Sequence, residues 1–369
     1  MMRIVERGLI HEGIRGGDRA VAAFPSVTAL PDGELLALYR VGRRKDADDC
    51  VAEIRRSLDS GRSWSEPEAP FSSTFAGVRG SLQVVYATAL GDDRLLASAL
   101  WVDREAHPGQ PLFNEETEGC LPMRILVADS ADRGRTWSAW REVAVTPDVG
   151  PPSLTNPVVR LGDGRLMVSI ETNKSYFDRS KWFQRVVHCD SGDEGAMWTA
   201  PVTVCQDPTG AVFHWDQRVA VDARGVIAAF SWTYDKDANR YLPIRRHVSR
   251  DHGATWTTDT LGFSDQPSRP AVFPDGRAVL AWVDRYGSMS IRARMAAGLE
   301  GVFDESTEVV VHEAARPANA TQDTGAMLVD MSRWSFGLPY AEALPDGSAM
   351  VVYYAGEPDR MDVRWARLC

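Results

Sequence analysis

The sequence predicts an all-β fold, a six-bladed β-propeller formed by the whole chain, 1–369, as a single domain. Three observations predict it. A unit of apolar strand, tight turn and apolar strand recurs six times. A box of the form Ser-x-Asp-x-Gly-x-Thr-Trp recurs four times. Helical periodicity is nearly absent along the chain.

The six hairpins are "SVTALPDGELLALY" (26–39), "VVYATALGDDRLLASAL" (84–100), "PVVRLGDGRLMVSI" (157–170), "RVAVDARGVIAAFSW" (218–232), "RPAVFPDGRAVLAWV" (269–283) and "YAEALPDGSAMVVYY" (340–354). Asp-Gly between two alternating runs marks a hairpin because both residues tolerate the positive φ that tight turns need. Each hairpin precedes a third strand, such as "AEIRRS" (52–57), "MRILVADS" (123–130) or "IRRHVS" (244–249). The boxes then lead into a fourth, as in "WSEPEAPF" (64–71) and "WSAWREVAV" (137–145). The last unit ends in "MDVRWARLC" (361–369) with no fourth strand, and "MRIVERGLIH" (2–11) is a strand with nothing before it. The expected closure pairs these two ends and removes the open edges.

The boxes are "SLDSGRSW" (57–64), "SADRGRTW" (130–137), "SGDEGAMW" (191–198) and "SRDHGATW" (249–256), with Met197 where the third copy should carry Thr or Ser. Their serines are spaced 73, 61 and 58 residues apart. A catalytic group is rarely needed four times in one chain, whereas a structural unit often is. Asp59, Asp132, Asp193 and Asp251 are therefore expected in turns, their carboxylates capping backbone N–H groups.

Composition narrows the function. The chain has 369 residues, a 44% hydrophobic fraction and a formal net charge of −10. With that charge no nucleic-acid partner is expected. There is no charged-then-apolar leader and no apolar run approaching about 18 residues, so no membrane partner is expected and the location reads as cytoplasmic. The five cysteines, Cys50, Cys120, Cys189, Cys205 and Cys369, match neither a zinc spacing nor a disulfide framework. They read as reduced and structural, with no cofactor and no metal. Of twelve tryptophans, Trp101, Trp182, Trp215 and Trp334 fall near loops, where an indole face can stack on a sugar.

Asp-boxes on a six-fold hairpin repeat resemble the sialidase superfamily, and the resemblance covers most of the chain. In that family the boxes face away from the active site. The resemblance implies three arginines clamping a substrate carboxylate, a tyrosine nucleophile activated by a glutamate, and an aspartate acid/base. Aligned on Pro25, Ala23 stands where the first arginine should be. Counted from the hairpin glycine, Glu171 stands in place of the second. Asn156 lies near the position of the family glutamate. Leu338 takes the place of the nucleophile, with Tyr340 two residues later. The acid/base loop is matched by "KDADDC", which supplies Asp46, Asp48 and Asp49.

The first strands of a propeller converge on its axis, and the loops at one mouth form a pocket. "FHWDQR" (213–218) is dense in polar and aromatic groups there. His214, Asp216 and Arg218 alternate and are expected on one face, with Trp215 nearby and His214 as a candidate acid/base. "PYAE" puts Tyr340 and Glu342 on one face as a candidate nucleophile and base. Asp46, Asp48 and Glu171 are the candidate carboxyls for glycosidic cleavage, which needs two flanking the bond. Arg79, Arg269 and Arg333 at three mouths, with Asn156 and Trp334, complete the candidate sugar contacts.

The function expected is an exo-acting glycoside hydrolase on an oligosaccharide terminus. With Ala23 and Glu171 at arginine positions, an α-sialoside is not the expected substrate. A neutral sugar is expected, or an acidic one held by Arg269 or Arg79. The alternatives are a lyase on an acidic sugar, with His214 or Tyr340 taking the α-proton, and a non-catalytic glycan- or protein-binding propeller.

Overall fold

The computed structural model describes residues 2–91, 93–314 and 334–369. Among them the only helical element is a 3-10 turn at Pro147–Val149, and no helix is long and apolar enough to cross a membrane. The strands are β1 (Ile4–His11), β2 (Val21–Ala29), β3 (Leu35–Gly42), β4 (Val51–Ser57), β5 (Thr74–Phe75), β6 (Val78–Gly91), β7 (Arg94–Asp103), β8 (Met123–Ser130) and β9 (Arg141–Glu142). They continue with β10 (Val159–Arg160), β11 (Leu166–Glu171), β12 (Arg185–Ser191), β13 (Val202–Gln206), β14 (Val212–Val221), β15 (Ile227–Asp235), β16 (Arg240–Ser249) and β17 (Thr257–Thr260). The last are β18 (Ala271–Val272), β19 (Ala278–Asp284), β20 (Ser290–Ala296), β21 (Asp304–Glu313), β22 (Phe336–Ala343), β23 (Ala349–Glu357) and β24 (Arg360–Leu368).

All six expected hairpins are antiparallel pairs: β2–β3, β6–β7, β10–β11, β14–β15, β18–β19 and β22–β23. The sheets run β5 to β9, β10 to β13, β14 to β17 and β18 to β21 in chain order. A further sheet joins β22-β23-β24 to β2-β3-β4 through a single parallel bridge, Val21 to Met361. The strand at the N-terminus pairs with β24 from Ile4–Leu368 to His11–Val363. The result is an all-β, propeller-like architecture. Its apolar core lies between sheet faces, where side chains such as Leu36, Leu38, Ile125 and Val168 are fully buried.

Two expected fourth strands are much shorter than the sequence pattern. Residues 64–71 contribute one bridge, Ile54 to Glu68, because Pro67 and Pro70 have no N–H to donate. In 137–145 only Arg141–Glu142 pairs, while Trp137 and Trp140 fold onto the Phe71 ring at 5.2 and 4.9 Å.

The four boxes are four copies of one hydrogen-bonded turn. The serine hydroxyl of Ser57, Ser130, Ser191 and Ser249 donates to Oδ1 of the box aspartate at 2.8 Å and accepts the glycine N–H at 2.8 Å. The same Oδ1 accepts the N–H four residues on at 2.9 Å. Ser63, Thr136 and Thr255 add a hydroxyl to Oδ2 at 2.5–2.6 Å, a bond Met197 cannot make. The residue before each box glycine takes positive φ, from 58° at His252 to 64° at Arg133.

Candidate active site

Four inner strands carry a β-bulge at the same depth. In β2, β14 and β22 two residues face one: Phe24 and Pro25, Asp216 and Gln217, Leu338 and Pro339. Gln83 is the extra residue in β6. Phe24, Asp216 and Leu338 have φ of 55°, 45° and 45°, a left-handed backbone that costs energy for a residue with a Cβ. Each bulge adds one side chain to the strand's count, and Phe24, Gln83, Asp216 and Leu338 all line one cavity of about 240 Å³.

The bulge also breaks the alternation expected in "FHWDQR". Trp215, Asp216 and Arg218 all reach the cavity, whereas His214 does not and instead accepts a hydrogen bond from Arg245 at 3.0 Å. Arg218 donates to the Tyr86 hydroxyl at 3.1 Å and to the Thr155 carbonyl, and lies 3.8 Å from Asp216. Asp216 also accepts from the Gln266 amide.

Glu171, the last residue of β11, reaches the cavity from one side. Its Oε1 accepts the Thr155 hydroxyl at 2.8 Å and the Gln217 N–H at 3.0 Å. Burial, reinforced by the nearby charge of Asp216, pushes its carboxyl up to about 8. Asp46 enters from the β3–β4 loop, accepting from Arg104 at 2.9 Å and from the Leu112 N–H at 3.3 Å. Burial opposes its charge, but Arg104 and Arg40 outweigh it and hold Asp46 below the ordinary carboxylate range. The cavity thus holds one carboxyl that keeps its proton and one that gives it up, the pairing that separates acid from base roles.

Sequence reasoning missed several cavity groups. Lys45 donates to the Tyr354 hydroxyl at 2.7 Å and the Trp334 carbonyl at 3.2 Å. Burial, with Arg285 and Arg40 close by, holds its ammonium well below the usual lysine range. Gly337 makes room for this contact, since a Cβ there would meet the Tyr354 hydroxyl at 2.8 Å. Arg40 donates to Gln83 and stacks on Phe24 at 4.5 Å, with no carboxylate in salt-bridge range among the described residues. One signal could have found Arg40: it is a cation inside the apolar run "LLALYRVG". Trp182, Trp215, Trp232 and Trp334 form an aromatic wall, successive rings 5.5–6.4 Å apart.

The other sequence candidates lie elsewhere. Tyr340 stacks beneath Tyr86 at 6.2 Å, with Arg269 at 5.5 Å from its ring and Glu342 paired to Arg269 at 2.5 Å. None of the three lines the cavity. Arg79 and Asp48 are exposed and form a surface pair at 3.8 Å. Neither Arg269 nor Arg79 is therefore a cavity cation; Arg40, Lys45 and Arg218 are. Asn156 bonds the β14 backbone at Val219 N–H (3.0 Å) and C=O (3.3 Å), tying two sheets together. Arg333 lies outside the described residues.

No protein-family model matches the chain. Over 211 residues, 54% of this chain, it is 28% identical to a sialidase of Micromonospora viridifaciens, and it spans 32% of that protein's length. Among solved structures it resembles a Dyadobacter fermentans protein of unknown function (TM-score 0.69, 20% identity, covering 100% of this chain and 98% of the other). It also resembles the Hadza microbial sialidase Hz136 (0.66, 15%, 95% and 66%). A Penicillium chrysogenum α-L-arabinanase complexed with arabinobiose is similar over 98% of both chains (0.64, 18%). These likenesses show the fold: an all-β, propeller-like architecture similar to that of sialidases and of an arabinanase.

Proposed function

We propose that the protein is a glycoside hydrolase that removes a terminal acidic sugar from an oligosaccharide. One observation carries the reading: a single aromatic-walled cavity gathers the carboxyls of Asp46, Glu171 and Asp216 with the cations Arg40, Lys45 and Arg218. Glu171 donates its proton to the glycosidic oxygen as the anomeric C–O bond breaks. Asp46, ionised, either removes a proton from the attacking water or attacks the carbon itself. Asp216 stabilises the positive charge that develops on the sugar. Arg40 takes the substrate carboxylate, and the tryptophan wall stacks on the sugar face. The sheets are read as six blades of one domain, closed by β1 on β24.

The test is a panel of chromogenic glycosides comprising uronides, an α-sialoside and neutral sugars. Release of a uronide, lost in Glu171→Gln, supports the reading. The α-sialoside is expected to be a poor substrate, because Ala23 and Glu171 stand where two clamping arginines would be. No turnover of any acidic glycoside would overturn it.

The Lys45–Tyr354 contact supports a second reading, β-elimination on a uronate: Lys45, whose ammonium burial holds well below the usual lysine range, takes the α-proton while Arg40 neutralises the carboxylate. An unsaturated product absorbing in the ultraviolet identifies that reaction, and a saturated sugar identifies hydrolysis.

A further inference from the structure

Behind Glu171 lies a second cluster, outside the cavity. Gln217 links the two: its N–H bonds Glu171, and its side-chain amide is 3.9 Å from the Cys205 sulfur. Cys205 on β13, His214 on β14 and His247 on β16 each offer one ligand atom, and these atoms lie within 4.8 Å of one another. Both imidazoles are buried, 5.6 Å apart.

Each ring is anchored through one nitrogen. His247 Nδ1 is 2.8 Å from the Thr258 hydroxyl, and His214 Nε2 is 3.0 Å from Arg245. The backbone of His214 is clamped on both sides by the Gln184 amide at 2.8 Å. The other nitrogens, His247 Nε2 and His214 Nδ1, are buried and have no hydrogen-bond partner among the described residues. A buried polar atom without a partner is uncommon and calls for a reason; two in contacting rings beside a thiol call for one reason.

We propose that Cys205, His214 and His247 bind a zinc ion. A thiolate and two imidazoles are zinc's own ligand types, at about 2.3 Å for sulfur and 2.0–2.1 Å for nitrogen. Ligand atoms at those distances stand about 3.6 Å apart in a tetrahedron, so the cluster closes by roughly 1 Å on binding. The fourth position takes water. Thr258 on His247 Nδ1 supplies the outer hydrogen bond that metal-bound histidines usually make. Arg245 must move. An arginine only donates, so the free His214 ring carries its proton on Nδ1; binding shifts that proton to Nε2 and displaces the guanidinium. Cys205 gives its proton to solvent, so one proton is released per zinc. No Cys-x-x-Cys spacing signals such a site, because the ligands come from three strands.

The probe is cobalt(II) added to chelator-treated full-length protein. We expect one equivalent to produce a thiolate-to-cobalt charge-transfer band, zinc(II) to abolish the band, and Cys205→Ser to prevent it. Arg245→Met should tighten binding by removing the opposing charge. Absence of the band in the wild-type protein, or its persistence in Cys205→Ser, would overturn the site. If Cys205→Ser does not fold, His247→Gln decides: a one-equivalent band unchanged in that variant rejects the proposal, and its loss upholds it.

Discussion

The box aspartates and the cavity carboxyls are the same functional group placed in opposite settings. Asp59, Asp132 and Asp251 sit at the surface, where hydroxyl and backbone N–H donors surround them and hold them at about 2. They are ionised at every physiological pH and have no proton to give. Glu171 has two donors as well, yet burial and the charge of Asp216 leave it protonated near neutrality. The difference teaches that hydrogen bonds pull a carboxyl down where solvent also reaches it, and that desolvation and a neighbouring like charge override them where it is buried. The box aspartates close turns, and Glu171 keeps its proton on the cavity wall.

The strongest way to break this comparison is Glu171→Gln. The variant should lose about 10²- to 10⁴-fold in kcat if Glu171 is the general acid. Its stability should move the other way. Glu171 binds its proton more tightly folded than unfolded, so its favourable contribution is complete below about 4.5 and is lost as pH rises through about 8. Thermal melts from pH 6 to 9 should therefore show the wild-type Tm falling relative to Glu171→Gln. Equal slopes with retained activity would make Glu171 an ordinary buried acid.

The pH profile of kcat/KM sharpens the same point. Its alkaline limb should fall near pH 8 as Glu171 ionises, and its acid limb should lie below the usual carboxylate range, where Asp46 gains a proton. Asp46→Asn should remove the acid limb from whatever activity remains. Arg40→Ala comes next in size. It should raise KM for an acidic glycoside about 10- to 100-fold and leave a neutral one unaffected, since a hydrogen bond to a charged group is worth roughly 1.5–3 kcal/mol.

Much of the fold was legible because hairpin turns write themselves in local sequence. Asp-Gly at 32–33, 163–164 and 275–276 and the period-two strands around them need no distant information. The site was only half legible. Asp46, Glu171, Trp215, Asp216, Arg218 and Trp334 stand out in the sequence by polar or aromatic character within or beside apolar strands, and all six line the cavity. Tyr340 and Glu342 do not line the cavity: the bulge at Leu338 and Pro339 puts Leu338 on its wall, and Tyr340 packs against Tyr86 instead. His214 is off the cavity for the same reason, since strict alternation cannot anticipate two residues opposing one. Tyr354 lies in "VVYYAG", where either tyrosine could face the axis and only register decides. Lys45 opens the run "KDADDC", whose three acids are the more conspicuous signal.

Among the boxes themselves, Asp132→Asn should lower Tm by on the order of 2–4 °C while kcat/KM stays near wild type, because Asp132 closes a turn and does not line the cavity. Loss of activity with an unchanged melt would overturn the structural role.

The smallest effect runs in the opposite direction. The third box has Met197 where its siblings have a hydroxyl, so Asp193 keeps the N–H bond at 2.9 Å and the Ser191 bond at 2.8 Å but has no hydroxyl at the position that serves Oδ2 in the other copies. Met197 is 74% exposed, so its replacement sacrifices little packing. Met197→Thr should restore the full turn and raise Tm by on the order of 1–2 °C, since one added surface hydrogen bond contributes modestly and a chain of this length dilutes it. The paired control is Thr136→Met in the second box, which should lower Tm by a similar amount. If both variants move the melt in the same direction, the hydroxyl is not what distinguishes the boxes, and the backbone N–H bonds alone hold these turns.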